Sequence, residues 1–145
     1  MKKTITICSS ASHYKQVLEI EKELEKLGFK VKIPSTARTM GKLNNFAVDK
    51  HKTWFKNEKD YYKKTRFIVN HFKKIIAGDA VLVLNLEKKG MKGYIGGNTL
   101  MEMTIAFHYK KPIFVYNNIS EELSFAEEVY GMNPKFLEGD LTKIK

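Results

Sequence analysis

One acidic residue stands inside an apolar helical pattern, and the loop before it is rich in glycine, asparagine and threonine. The residue is Glu102, in the stretch GYIGGNTLMEMTIAF. Gly96 and Gly97 permit backbone angles that other residues resist, and the apolar neighbours of Glu102 leave little solvated surface around its carboxylate. A part-buried carboxylate is a candidate catalytic group, and the helix dipole would help to keep it ionised, as a nucleophile requires.

The same residues also permit a purely structural interpretation. If Thr99 is the N-cap of the helix, Glu102 is at position N3 and TLME fits a capping box, in which the glutamate bonds back to its own helix start. If Asn98 is the cap, Glu102 is at position N4. The sequence leaves both roles open for Glu102, and the two roles are compatible.

A second small and polar junction is CSSAS, residues 8–12, directly after the apolar run TITIC. Small residues let a ligand approach the backbone, and the N–H groups that open the next helix can bind an anion or a sugar hydroxyl. Ser9, Ser10 and Ser12 add hydroxyl donors and acceptors, although N-capping by Ser10 or Ser12 would need only one of them. We expect His13 to lie on the surface of the first helical turn. The motifs of Walker loops and dinucleotide-binding loops are absent from the sequence.

The segments that would position these residues alternate between strand and helix. Strand patterns occupy Thr4–Cys8 and residues 29–33, 79–85, 111–117 and 134–140. Helical patterns follow the first junction, span about 57–77, carry Glu102, and span 119–131 with Ser120 as N-cap. Residues 34–54 contain several helix breakers and are expected to form a long loop, with a helical start near Phe46.

This alternation predicts an α/β three-layer sandwich with a doubly wound, mostly parallel, five-stranded sheet. Residues 1–145 are expected to form a single domain, because the chain is long enough to bury a core and shows no linker or repeat. In the common flavodoxin-like strand order 2-1-3-4-5, ligands bind beyond the carboxyl ends of strands one and three, where the order reverses. The CSSAS junction and the loop before Glu102 should therefore face each other across that crevice.

Composition and charge narrow the classes of function. The chain is 43% hydrophobic and 29% charged, as in an ordinary globular protein. No apolar run is long enough to span a bilayer or to serve as the core of a signal peptide, so we expect a cytoplasmic protein without a membrane partner. The single cysteine agrees with that compartment. The four histidines and the cysteine show no metal-ligand spacing, so neither a metal nor another cofactor is expected.

The formal charge of +10 is concentrated in one part of the chain. Residues 38–74 hold 11 of the 26 Lys/Arg and 3 of the 16 Asp/Glu, a net charge of +8, within a basic loop and helix segment at about 34–77. Such a segment suits anionic partners, either phosphorylated metabolites or nucleic acid. A solvated, lysine-rich helix accounts for the same charge without any partner.

Three segments together resemble the nucleoside 2-deoxyribosyltransferase-like superfamily, which includes the 2′-deoxynucleoside 5′-monophosphate N-glycosidases. The segments are ITICSSAS, DAVLVLN and GYIGGNTLMEMTIAFHYKKPIFVYN. The resemblance covers about half of the chain, and the middle of the chain matches only in the order of its elements. It implies a doubly wound α/β domain that forms a homodimer or a larger homo-oligomer and acts on a nucleoside or nucleotide.

The resemblance also implies roles for individual residues. Glu102 would attack C1′ of the deoxyribose and form a covalent glycosyl-enzyme, which a second base (in a transferase) or water (in a hydrolase) then resolves. The sugar or its 5′-phosphate would bind near the two junctions, and the loop after the fourth strand would reach the site of a neighbouring subunit. The implied substrate-binding residues are Cys8, Ser9, Ser10, Ser12, Tyr94, Gly96, Gly97, Asn98, Asn117 and Asn118.

Two positions depart from the family pattern. Asn85 ends the third strand where family transferases often carry an aspartate that helps to protonate the leaving base; an amide can hydrogen-bond a base but cannot act as a general acid. Glu87 could substitute only if its loop folds back. The first strand lacks the tyrosine that the family often has near the nucleophile, and Tyr94 is a candidate replacement. The catalytic candidates are therefore Glu102 and, in a modified role, Asn85.

The sequence thus predicts an enzyme that cleaves or transfers at the N-glycosidic bond of a (deoxy)nucleoside or its 5′-monophosphate. The missing acid leaves a second hypothesis, a nucleotide-binding module without catalysis. A third hypothesis is a nucleic-acid-binding protein, because aromatic residues such as Trp54 and Phe55 are interleaved with lysines in residues 38–74. We favour packing of these aromatics onto the sheet and do not expect nucleic acid as a partner.

Overall fold

The computed structural model describes residues 2–145 and contains one parallel sheet with strand order β2-β1-β3-β4-β5. The predicted fold class and strand order are confirmed. The strands are β1 (Thr4–Cys8), β2 (Lys30–Lys32), β3 (Ala80–Val83), β4 (Ile113–Val115) and β5 (Lys135–Phe136).

Helices connect the strands and lie on both faces of the sheet, as right-handed crossovers between parallel strands require. They are α1 (Tyr14–Lys26), α2 (Ser35–Leu43), α3 (Val48–His51), α4 (Tyr61–Ala77), α5 (Gly97–His108) and α6 (Ala126–Gly131). Short 3-10 turns occur at Ala11–His13, Thr53–Phe55, Glu58–Asp60 and Leu141–Lys143. No helix among residues 2–145 is both long enough and apolar enough to cross a membrane.

The core consists of two apolar layers, one on each face of the sheet. Alternate residues of β1 and β3 point to opposite faces, so β3 is apolar along its whole length and residues 5–8 of β1 are all buried. Ile7 and Leu82 pack with the buried residues of α1 and α2, whereas Val81 and Val83 pack with those of α4 and α5. Both faces of the central strands are therefore covered, and ligands can reach the sheet only from its edges and ends.

The predicted long loop after Pro34 is partly wrong, because residues 35–43 form α2. Ala37 and Met40 are fully buried and give this helix an apolar side. Gly41 reads as a helix breaker in the sequence, but here it allows α2 to approach α1. A Cβ at Gly41 would lie 2.8 Å from Cδ1 of Leu18.

The helix predicted to begin at Ser120 is also shorter than expected. The hydroxyl of Ser120 accepts a hydrogen bond from the backbone N–H of Glu122 at 3.1 Å, which closes a local turn rather than capping a helix. The helix itself, α6, begins at Ala126. The start of this connection therefore bends before it becomes helical.

Candidate active site

The carboxyl ends of β1 and β3 lie side by side at the point where the strand order reverses. Cys8 and Val83, the last residues of the two strands, are register partners. Just beyond them, the Ser9 hydroxyl donates a 2.7 Å hydrogen bond to the carbonyl of Leu84. The two junctions identified in the sequence thus begin from adjacent positions at one edge of the sheet.

Glu102 is the sixth residue of α5 and is only 4% exposed. The predicted N-cap, Asn98 or Thr99, is wrong. The N-cap of α5 is Gly96, which has an extended conformation and lies two residues before Asn98. Thr99 is instead buried, and Glu102 lies beyond the first turn, so the capping box does not form. The capping-box interpretation of Glu102 is thereby removed, and its carboxyl group does not serve to cap its own helix.

Three polar side chains surround the carboxyl group of Glu102. Nε2 of His71 lies 3.7 Å from Oε2, and the amide nitrogen of Asn98 lies 3.5 Å from the same oxygen. The Cys8 thiol completes the group, with Sγ, the imidazole nitrogen and a carboxylate oxygen all within 4.8 Å of one another. These contacts come from β1, α4 and α5, so three separate elements fix the position of Glu102.

Burial determines the protonation of this group. Desolvation raises the pKa of Glu102 to about 8, against the opposing effects of the Lys64 charge and of the Cys8 thiol. Desolvation also lowers the pKa of His71 to about 4, and the charge of Lys74 lowers it further. At neutral pH the two groups are mainly uncharged. The expectation that the helix dipole keeps Glu102 ionised is not met, because that effect fades beyond the first turn.

A short chain of polar contacts connects Glu102 to a cation. The ammonium of Lys64, on α4, donates a 3.1 Å hydrogen bond to Oδ1 of Asn98. This bond orients the amide so that its NH₂ group faces Glu102. Lys64 is thus the positive charge that most favours the ionised carboxylate.

Glu102 lines a pocket that we call the aromatic pocket. Its aromatic and apolar lining includes Tyr14, Met40, Trp54, Phe67 and Ile68. Polar residues that also line it are Ser35, Thr36, His51, Lys52, Lys64, His71, Lys74, Asn98 and Glu102.

A second pocket, which we call the lysine pocket, lies at the start of α5. It is lined by Ser9, Ser10, Ala11, Tyr14, Lys52, Lys64, Lys88, Tyr94, Gly96, Gly97, Asn98 and Thr99. Within the described part of the chain, no Asp or Glu contributes to this lining. Burial lowers the pKa of Lys52, and the nearby charges of Lys64 and Lys88 lower it further. The ammonium group of Lys52 therefore lies close enough to those of Lys64 and Lys88 to be repelled by both.

The two pockets share part of their lining, including Tyr14, Lys52, Lys64 and Asn98. They are consequently two ends of one cleft. Glu102 is bonded to the shared residue Asn98, which puts its carboxyl group near the junction of the two ends. The only other acidic side chain that the sequence placed near this loop, Glu87, is exposed and is not part of either lining.

Several of the predicted binding residues do line the cleft. Tyr94, Gly96, Gly97 and Asn98 lie in the lysine pocket together with Ser9 and Ser10. The hydroxyl of Ser10 accepts a 3.1 Å hydrogen bond from Lys88 and makes no capping bond. Ser12 is exposed and lies outside both linings, so the structure does not bring it to the cleft.

Asn85 is fully buried and is used to join two loops. Its Oδ1 accepts a 2.8 Å hydrogen bond from the backbone N–H of Asn117, and its NH₂ group donates to the carbonyls of Asn117 and Gly93 at 2.8 and 3.4 Å. Neither Asn85 nor Asn117 and Asn118 contribute to the cleft lining. We therefore leave these three residues out of the proposed site within this chain.

His13 was expected at the surface, but it is 6% exposed. Its Nε2 lies 3.1 Å from the carbonyl of Glu87, so this histidine ties the start of α1 to the loop after β3. Burial lowers the pKa of His13, and the Lys88 charge lowers it further. Its role is to hold the two junctions together.

Sequence reasoning missed Tyr14, whose ring lines both ends of the cleft. Burial raises the pKa of its hydroxyl, and the charge of Glu102 raises it further. Tyr14 thus supplies the aromatic hydroxyl near the nucleophile candidate that the first strand lacks, whereas Tyr94 lines only the lysine pocket. The sequence feature that could have identified Tyr14 is its position in the first helical turn after the CSSAS junction.

Residues of α4 were missed for a different reason. Lys64, Phe67, Ile68, His71 and Lys74 all line the aromatic pocket. They recur at intervals of three and four, which is one face of a helix. The sequence showed the helical period of this segment. Its lysines, however, were interpreted as the solvated side of a helix, so their contact with a pocket was not predicted.

Arg38 and the aromatic residues of the basic segment have different surroundings. Arg38 is half-exposed and forms an ion pair with Glu21, away from the cleft. Trp54 is buried, as the packing interpretation of the aromatics expects, whereas Phe55, Tyr61 and Tyr62 are exposed. Packing onto the fold therefore explains the Trp54 ring but does not explain the rings of Phe55, Tyr61 and Tyr62.

Comparisons with known proteins support the fold. No protein-family model and no curated protein matches the sequence. Among solved structures, the chain is similar to a 2-deoxyribosyltransferase from the psychrotolerant bacterium Bacillus psychrosaccharolyticus, described as a biocatalyst for the synthesis of antiviral and antitumoral nucleosides. The TM-score is 0.55 and the identity 17%, over 84% of this chain and 77% of that one. The chain thus has the nucleoside 2-deoxyribosyltransferase-like fold that the sequence resemblance predicted.

Proposed function

We propose that this protein is an enzyme that breaks the N-glycosidic bond of a (deoxy)nucleoside 5′-monophosphate through a covalent glycosyl intermediate on Glu102. One observation carries the proposal: a buried carboxyl group lies at the junction of an aromatic pocket and a lysine pocket. A nucleotide has the same order of parts, with a flat base, a sugar and a phosphate. The anomeric carbon of the sugar would then lie beside Glu102.

The aromatic pocket suits the base. Rings stack in offset or edge-to-face arrangements on other rings, and Tyr14, Trp54 and Phe67 offer such surfaces. The ammonium of Lys64 already lies 5.8 Å from the centre of the Trp54 ring, which keeps that ring at the mouth between the two ends. Hydroxyls of Ser35 and Thr36 at the start of α2 can hydrogen-bond the polar edge of a base.

The lysine pocket suits a phosphate. The ammonium groups of Lys64 and Lys88 repel that of Lys52, and a dianion among the three would relieve that repulsion. The backbone N–H groups at the start of α5 add donors for phosphate oxygens, and Gly96 and Gly97 leave room for them. An unphosphorylated nucleoside could not use these contacts, so we expect a 5′-monophosphate to be the better substrate.

The proposed reaction has two half-reactions. An ionised Glu102 oxygen attacks C1′, and the C1′–N bond breaks with its electron pair going to the base, which takes up a proton from water. The resulting glycosyl ester is then attacked at C1′ by water, or by a second base, and the bond between C1′ and the Glu102 oxygen breaks to restore the carboxylate. Water as the proton source fits the lining, since Glu102 is the only acid of residues 2–145 that lines the cleft.

The test measures free base released from a panel of nucleosides and their 5′-monophosphates, with and without an acceptor base. We expect Glu102→Gln to fold normally, because the amide is an isostere of a carboxyl group that is already mainly uncharged, and to lose turnover by at least ~10³-fold. Glu19→Gln, at an exposed position of α1, is the matched control and should retain activity. Unchanged turnover in Glu102→Gln would contradict the proposal.

A nucleotide-binding module without catalysis is the second candidate, favoured by the absence of another acid in the cleft within residues 2–145. It predicts that 5′-monophosphates raise the melting temperature of the wild type without release of base. Release of base that depends on Glu102 would exclude it. Exchange of base in the presence of an acceptor would further distinguish a transferase from a hydrolase.

A further inference from the structure

Three potential metal ligands converge beside the cleft. Cys8 ends β1, His71 lies on α4 and Glu102 on α5, and all three are buried. Sγ of Cys8 lies 3.8 Å from Nε2 of His71, which lies 3.7 Å from Oε2 of Glu102. No pair of these donor atoms is more than 4.8 Å apart.

These separations resemble one face of a tetrahedral metal site. With ordinary zinc–ligand lengths of about 2.0 to 2.3 Å, the edges of a tetrahedron are roughly 3.4 to 3.6 Å. The two distances at His71 Nε2 would shorten by only a few tenths of an ångström, and the Cys8–Glu102 separation, which is at most 4.8 Å, by up to about 1.2 Å. The fourth position would face the cleft, because both His71 and Glu102 line the aromatic pocket.

The donor set selects the kind of metal. A thiolate and an imidazole favour zinc and similar borderline ions, whereas magnesium and calcium prefer oxygen ligands. We propose that Zn²⁺ binds the Cys8–His71–Glu102 cluster and acts as a reversible inhibitor. When the metal binds, the Cys8 thiol and the Glu102 carboxyl group lose their protons to solvent. The positive charge of the cation would then balance the buried thiolate and carboxylate. The inhibition rests on the function proposed above, but the binding does not.

The surroundings of His71 favour an inhibitory ion over a permanent cofactor. Nε2 of His71 lies 3.0 Å from the carbonyl of Ile7, to which it donates its proton. Zinc at Nε2 would require that proton to move to Nδ1, and Nδ1 has no hydrogen-bond partner among residues 2–145. Resident metal sites normally provide such a partner for the second nitrogen. The same ion would also occupy the oxygen of Glu102 that the reaction needs.

Binding can be tested without any substrate by titrating metal-free protein with Co²⁺. Cys8 is the sole cysteine of the sequence, so a sulfur-to-cobalt charge-transfer absorption reports on this site alone. We expect the absorption in the wild type and in the control His108→Asn, whose histidine is exposed. In His71→Asn, the affinity should fall by at least ~10-fold. The absence of the absorption in the wild type, or equal affinity in His71→Asn, would refute the site.

Inhibition is tested in the base-release assay. We expect Zn²⁺ to stop release in the wild type, a chelator to restore it, and Mg²⁺ to have no effect. Activity that persists when Zn²⁺ saturates the protein, as judged by displacement of Co²⁺, would refute inhibition. Metal binding by a protein that releases base from none of the panel would leave the site standing and refute the proposed function instead. If His71→Asn fails to fold, Cys8→Ser replaces it, with loss of the cobalt absorption as the expected result.

Discussion

At the scale of single residues, the environment of Glu102 bears on the glycosidic reaction proposed above, in which a buried carboxyl group attacks the sugar. The transition state carries positive charge on the sugar next to the carboxylate, and this attraction is strong in a site with a low dielectric. The aromatic pocket supplies that low dielectric, and Lys64 offsets part of the cost of ionising Glu102. The residue is thus poorly stabilised as an anion until a sugar with developing positive charge lies beside it.

A substitution of Asn85 tests, again at the scale of one residue, whether this side chain has a structural or a catalytic role. Asn85→Asp would restore the acid that the family pattern has at this position, but the new carboxylate would face the carbonyls of Asn117 and Gly93. We expect it to destabilise the fold by at least ~2 kcal/mol, because the buried NH₂ donor is replaced by a carboxylate oxygen that faces two carbonyl oxygens, although Oδ1 keeps its bond from the Asn117 N–H. Urea unfolding measures this cost.

The control for Asn85→Asp is Asn70→Asp, at an exposed position of α4. It makes the same chemical change and should alter the free energy of unfolding by less than ~0.5 kcal/mol. A stable Asn85→Asp variant that releases base faster than the wild type would show instead that residue 85 reaches the substrate.

At the scale of elements, the loop before α5 is held by a close contact between two backbones. Gly93 has φ of +65°, and a Cβ there would lie 2.1 Å from the carbonyl oxygen of Asn118. Gly90, in the same loop, has φ of +79° but open space around it. A comparison of alanine substitutions at the two glycines therefore separates the free-energy cost of backbone strain from that of a steric clash.

We expect Gly90→Ala to cost about 1 kcal/mol through strain alone. Gly93→Ala should cost more than twice as much, because the loops from β3 and β4 must move apart and weaken the bonds around Asn85. Urea unfolding of both variants measures the difference. Equal costs would mean that the two loops are not held together at Gly93.

The sequence predicted which helices and strands form better than it predicted where they begin and end or how a helix is rotated about its axis. The apolar neighbours of Glu102 correctly indicated its burial, and the runs of β1 and β3 fixed the centre of the sheet. The start of α5 at Gly97 was missed because extended glycine can end a loop without any side-chain cap. The meeting of Cys8, His71 and Glu102 depends on how α4 is rotated about its axis over β1. Residues that far apart in the chain carry no local signal of such a contact.

At the scale of the whole molecule, the uneven charge has a kinetic consequence. The net +8 of residues 38–74 includes Lys52 and Lys64 at the cleft, so the field should steer anionic substrates toward it. Salt should therefore slow capture of nucleoside 5′-monophosphates. We expect their kcat/KM to fall by ~10-fold between about 0.01 M and 1 M salt, as the Debye length shortens from about 30 to 3 Å.

The matched comparison is the corresponding nucleoside, whose kcat/KM should change little over the same range because it carries no phosphate charge. The ratio of the two values removes effects of salt on the enzyme itself. An equal response of nucleoside and monophosphate would show that the lysine pocket does not receive the phosphate.

The lining of the cleft draws on two separate stretches of the chain. Much of the aromatic pocket, including Met40 and Trp54, comes from the connection between β2 and α4, whereas Glu102 and the glycines of the lysine pocket follow β3. The part that would select a base and the part that would break the bond are therefore encoded in separate stretches. In evolutionary terms, recombination that exchanges residues 34–60 can create a new base preference while the inherited nucleophile stays where it is.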